Sequence, residues 1–182
     1  GVYALVAHLT GNRAAAFLAG LAYAFLPYRY SHLHHLNLLG DAWTPWVVLA
    51  LLLLIARPSW LGALRFGLLL AVEARNRFYL AYQVGLVVGV ALLVALVAVP
   101  GARTARFLGR LAAAGALALA IVLPLALPYV QVHQAQGLER DLAQTEQRGA
   151  LPWSYLTNVE PDNLVWRWLP SARNLENSLF IG

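Results

Sequence analysis

An all-α, polytopic integral membrane helix bundle is the fold class this sequence predicts, and three observations predict it. Of 182 residues, 60% are hydrophobic and 12% charged, with mean hydropathy +0.63. A soluble domain is about 45–50% apolar and about 25% charged. The charges also avoid long apolar runs, two of which reach about 20 residues, the length that crosses a bilayer. There is no Cys, which excludes disulfide and thiolate chemistry. There is no Met either, so the chain reads as an internal fragment that begins at Gly1.

The runs set the expected elements. Val2–Leu9 is the end of a partial N-terminal helix, and Ala14–Pro27 follows a Gly11-Asn12-Arg13 turn. Trp43–Ala56 stops at Arg57-Pro58-Ser59, and Leu61–Val72 is short. Phe78–Val99 and Phe107–Val130 are full spans, the second carrying Pro124 and Pro128 and therefore an expected kink. The expectation is about five transmembrane helices plus the partial one, as a bundle over residues 1–130. Residues 131–182 form an external helix and loop region leading to the next membrane segment. In it, Val132, Ala135, Leu138 and Leu142 mark one stripe of a surface helix over Gln131–Arg148. The loop beyond carries three Pro and the aromatics Trp153, Tyr155, Trp166 and Trp168, which anchor at headgroups or stack on a saccharide.

The net charge of +5 is unevenly placed. Residues 1–130 hold nine Arg and two carboxylates, a net +7, whereas residues 131–182 hold four Arg and six carboxylates, a net −2. Single Arg residues between apolar runs are a topological pattern, not a nucleic-acid footprint. If the segments alternate, Arg13, Arg57, Arg103, Arg106 and Arg110 share one side, with Arg65 near it. The positive-inside rule makes that side cytoplasmic. Asp41 and Glu73, the two carboxylates of the membrane half, then fall on the external side.

The external stretches carry the candidate chemistry. In Pro27–Asp41, Arg29, His32 and His35 are candidate substrate contacts, or rings resting at headgroup level beside Tyr28, Tyr30, Trp43 and Trp46. A divalent cation is compatible with His and carboxylate, but the spacing matches no recognisable metal site. Asp41 stands at the mouth of an apolar helix, as a catalytic carboxylate, an N-cap or both. Glu73, Arg75, Arg77 and Tyr79 lie together, and the planar Arg fork suits phosphate. The alternative is a headgroup-facing loop in which Arg75 or Arg77 pairs with Glu73. Gly85 and Gly89 form a small-xxx-small helix-packing pattern.

The run AFLAGLAYAFLPYRYSHLHHLNLLGDAWTPWVVLALLLLIAR over Ala16–Arg57 resembles the GT-C superfamily of polyprenyl-phosphate-sugar glycosyltransferases, and in particular YfhO-type bacterial membrane proteins. The shared pattern is an Ala/Gly-rich helix ending in a Pro turn. A short external loop with Arg or His and then an Asp follows, before an apolar helix opened by Trp and Pro. Glu176–Gly182 looks like the entry to the next helix of such proteins. The resemblance implies a multi-pass protein of the bacterial inner membrane that moves a sugar from a polyprenyl-phosphate carrier to an acceptor at the external face. Asp41 would match the acid of the second external loop. The family's main catalytic acid lies in the first large external loop, which would precede Gly1, so the fragment is not expected to act alone. The implied partners are membrane lipid and the lipid-linked sugar. A transporter segment is the rival reading, although such proteins place ionisable groups at the midplane; a non-catalytic membrane scaffold is the other.

Overall fold

The structure is a computed structural model that describes residues 1–26, 41–76 and 81–137. Among the described residues it is all-helical. The helices are α1 (Val2–Thr10), α2 (Arg13–Ala24), α3 (Thr44–Ala56), α4 (Trp60–Asn76), α5 (Ala81–Ala98) and α6 (Ala105–Gln136). Short 3-10 turns over Asp41–Trp43 and Pro100–Arg103 lead into α3 and towards α6. Chain contacts divide the molecule into two compact units, residues 1–20 with 40–132 and residues 21–39 with 133–182. Of the second, only 21–26 and 133–137, the C-terminal ends of α2 and α6, are described; the packing that follows belongs to the first.

Polar residues in the apolar sequence set the helix ends. Gly11 closes α1 at φ +68°, a left-handed conformation that suits glycine, and its N–H donates to Ala7 O at 2.9 Å. Asn12 then caps α2, its Oδ1 accepting from the N–H groups of Ala14 and Ala15 at 2.9 and 3.1 Å. Ser59 Oγ accepts from Gly62 N–H at 2.9 Å at the start of α4, and Thr104 Oγ1 from Phe107 N–H at 3.3 Å at the start of α6. At the C-terminal end of α5, Arg103 donates Nε to Leu96 O at 2.6 Å and Nη2 to Val97 O at 2.7 Å. A cation there answers both the bare carbonyls and the negative end of the helix dipole.

Helix α3 is the hub. It is apolar on all sides, as a helix surrounded by others should be, and Val47, Leu51 and Leu54 are buried. It packs against α1, α4 and α5 and both 3-10 turns. Phe66 on α4, Val84 and Val88 on α5, and Phe107 and Ala114 on α6 complete the core. Gly1 lies beside Pro45 and Trp46, so α1 runs parallel to α3, whereas α4 returns antiparallel, with Gly62 against Leu54. Arg110 on α6 donates to Pro58 O in the α3–α4 turn, and its guanidinium sits 5.7 Å from the Trp60 ring centroid, within cation–π range. The ends of these helices that carry Arg57, Arg103, Arg106 and Arg110 therefore lie together.

Two boundaries differ from the expectation. Helix α4 has 17 residues and continues past Val72, because Glu73 finds a polar partner inside the bundle instead of ending the helix in water. Helix α6 runs unbroken through Pro124, Pro128 and Gln131 to Gln136 and ends before Gly137, at φ +55°. The Gln131 boundary is thus not a helix start, and residues 138–148 of the expected surface helix lie outside the described residues. Among the described residues, two helices are long and apolar enough to cross a membrane, α5 and α6. Helix α3, with 13 residues, rises about 20 Å against a hydrocarbon core of about 30 Å. The coarser reading, all-α with apolar spans, therefore stands, and the count of five spans does not follow from helix length.

The packing glycine is also not one of the expected pair. A Cβ at Gly85 or Gly89 would meet nothing within 4 Å among the described residues, whereas one at Gly67 would lie 2.7 Å from Ala114 O. Backbone of α4 and α6 meets only because Gly67 lacks a side chain. Gly67→Ala should lower the unfolding midpoint in detergent, by an overpacking cost of about 1–3 kcal/mol. Gly85→Ala and Gly89→Ala should leave it unchanged or raise it, because alanine is the better helix former by about 0.8–1 kcal/mol.

Candidate functional site

The Arg-poor end of the bundle is built where α3 begins and α4 ends. Pro45 in the first turn of α3 has no N–H to satisfy and a backbone angle already suited to the helix. Two residues earlier, the Asp41–Trp43 turn delivers the chain to α3 and packs against α4. The N-cap position of α3 is Trp43, without a side-chain cap bond, and the side chain of Asp41 lies outside the described residues. By its backbone Asp41 opens the 3-10 turn.

Glu73 is the one buried charged residue among the described residues, with 0% of its surface exposed. Thr44 Oγ1 donates to its Oε1 at 2.8 Å, across 29 positions of sequence. A buried polar group is costly without a partner, and a carboxylate more so. This hydrogen bond therefore selects one register of α4 against α3. It also holds the residue that directly follows the Asp41–Trp43 turn, so the backbone of that turn and Glu73 lie at the same end of the bundle.

The other expected site residues are distributed as follows. Arg75 is exposed near the C-terminal end of α4, two positions beyond Glu73. Arg29, His32, His35, Arg77 and Tyr79 lie outside the described residues, and so does the side chain of Asp41. Among the described residues no group of three or more His, Cys, Asp or Glu is gathered as a metal would need. Thr44 is the residue the sequence reasoning missed. Its signal was present, since it is the only hydroxyl-bearing side chain in an otherwise apolar helix, and such a group needs a partner.

Comparisons with protein-family models, with curated proteins and with solved structures each return no match.

Thr44→Val should lower the unfolding midpoint by removing the hydroxyl that donates to Glu73 Oε1, at a cost of about 1–3 kcal/mol. A double-mutant cycle with Glu73→Gln, read by thermal unfolding, should return a coupling of at least about 0.5 kcal/mol. Additive effects would mean that the two side chains do not interact.

Proposed function

We propose that this chain is part of a polytopic protein of the bacterial inner membrane that transfers a sugar from a polyprenyl-phosphate carrier to an acceptor at the external face. Membrane placement is supported by the surfaces of α5 and α6. Only 17% and 11% of their apolar windows are buried inside the protein, where the core helix of a soluble protein would be largely covered. Leu86, Leu93 and Val97 on α5, and Leu119 and Leu123 on α6, are more than half exposed. The apolar part of α6, from Leu111 to Val130, rises about 30 Å, one hydrocarbon thickness. Arg106 and Arg110 flank it at one end and Gln131, His133 and Gln134 at the other. The shorter helices α1, α3 and α4 pack beside these two spans.

The observation that carries the functional reading is the Thr44–Glu73 hydrogen bond, which anchors the Asp41 turn at the end opposite the Arg cluster. In the proposed reaction Asp41 accepts the proton of an acceptor hydroxyl. The freed oxygen attacks the anomeric carbon of the donor sugar, and the bond from that carbon to the phosphate oxygen breaks. The polyprenyl phosphate leaves with the electron pair, and Arg75 or Arg77 balances its charge. Arg29, His32, His35 and Tyr79 contribute contacts to the substrates. Glu73, buried as it is, acts as a positioning residue through Thr44.

The test is Asp41→Asn in the intact protein, assayed for turnover of lipid-linked sugar in membrane vesicles. Loss of a general base should lower turnover by about 10²-fold or more, with membrane insertion unchanged. Full turnover by correctly inserted Asp41→Asn would remove Asp41 from the mechanism.

A further inference from the structure

A cleft of about 930 Å3 runs along α1, α3 and α4, from the Arg57 end of α3 back to Trp46. Its chemistry is ordered along its length. His8 in the last turn of α1, Arg57 just beyond α3 and Arg65 in the second turn of α4 all line it, and all three are exposed. The parallel run of α1 and the antiparallel run of α4 bring them to one end of α3. Away from them the walls are apolar, with Leu53 and Leu68 on facing helices and Trp46 at the far end. Among the described residues no carboxylate lines the cleft. From Arg57 back to Trp46 the helix rises about 16 Å, which is half of a hydrocarbon core of about 30 Å.

We propose that this cleft binds one anionic phospholipid of the leaflet at the Arg-rich end. The phosphate lies among His8, Arg57 and Arg65, and one acyl chain runs along Leu53 and Leu68 towards Trp46. Each part of the cleft matches a part of that molecule. The two guanidinium forks suit phosphate oxygens, and the apolar walls extend one leaflet deep. A zwitterionic headgroup would place its ammonium beside three basic side chains. A free phosphate would use the rim and leave the apolar walls empty. The proposal rests on the membrane placement above and is independent of sugar transfer.

The experiment takes the intact protein in an uncharged detergent and adds dioleoyl-phosphatidylglycerol or dioleoyl-phosphatidylcholine. Bound lipid is counted by native mass spectrometry. The wild type should retain one phosphatidylglycerol in preference to phosphatidylcholine. The double variant Arg57→Ala/Arg65→Ala should weaken that binding by about tenfold or more, at about 1 kcal/mol for each basic residue lost. Arg57→Lys/Arg65→Lys should recover part of it. Arg13→Ala/Arg106→Ala, which removes two exposed Arg that do not line the cleft, should bind as the wild type does. Equal retention of the two lipids, equal loss in the two alanine pairs, or displacement by inorganic phosphate at equal concentration would each overturn the proposal. A protein that stays monodisperse with no detergent would instead overturn the membrane placement itself.

Discussion

A carboxyl group with no exposed surface depends on the protein around it, and in this bundle one of its oxygens accepts from a threonine hydroxyl 29 residues away. The Thr44–Glu73 contact has consequences in both directions along the chain. It lets α4 extend to Asn76, where hydropathy alone would stop it at Val72. It also ties the start of α3 to the end of α4, so the short turn from Asp41 arrives at a defined place. An apolar interface tolerates sliding by a residue or a turn at modest cost, because Leu and Ala contacts are broadly interchangeable. A single buried polar pair does not, because a shifted register separates the two partners.

The opposite end is held by a different chemistry. There, Arg side chains that a positive-inside pattern accounts for only as topological markers also bond to bare backbone carbonyls. Arg103 closes the C-terminal end of α5, and Arg110 reaches from α6 to Pro58 in the turn between α3 and α4. Helix termini near a membrane surface leave carbonyls that need donors, and guanidinium groups supply several each. His8, Arg57 and Arg65 are exposed and line the cleft that opens at that same end, whereas Glu73 is buried at the other.

Much of the helical layout was legible in the sequence, for local reasons. Gly11-Asn12, Pro58-Ser59 and Gly101–Thr104 contain the residues that stop and restart helices, and each does so within a few positions of the expected boundary. What was not legible depends on partners distant in sequence. Nothing local marks Gly67 as the close approach of α4 to α6, while Gly85 and Gly89 display the familiar spacing and face open space among the described residues. Likewise, Glu73 beside Arg75 and Arg77 reads as a surface cluster until Thr44 is seen beneath it. Helix length leaves the number of spans open by a similar route, since hydropathy registers α3 as a segment without registering that α1, α4 and α5 pack against it.

The absence of Cys offers a direct measurement of the central contact, because paired cysteines can be introduced without background. Thr44→Cys combined with Glu73→Cys, treated in native membranes with a short thiol-reactive cross-linker, should give an intramolecular cross-link in high yield. Thr44→Cys with Arg75→Cys should give little, since Arg75 turns outward on the same helix. A stronger cross-link at position 75 than at 73 would show that α4 is rotated from the register described, and the account of how the Asp41 turn is held would fail with it.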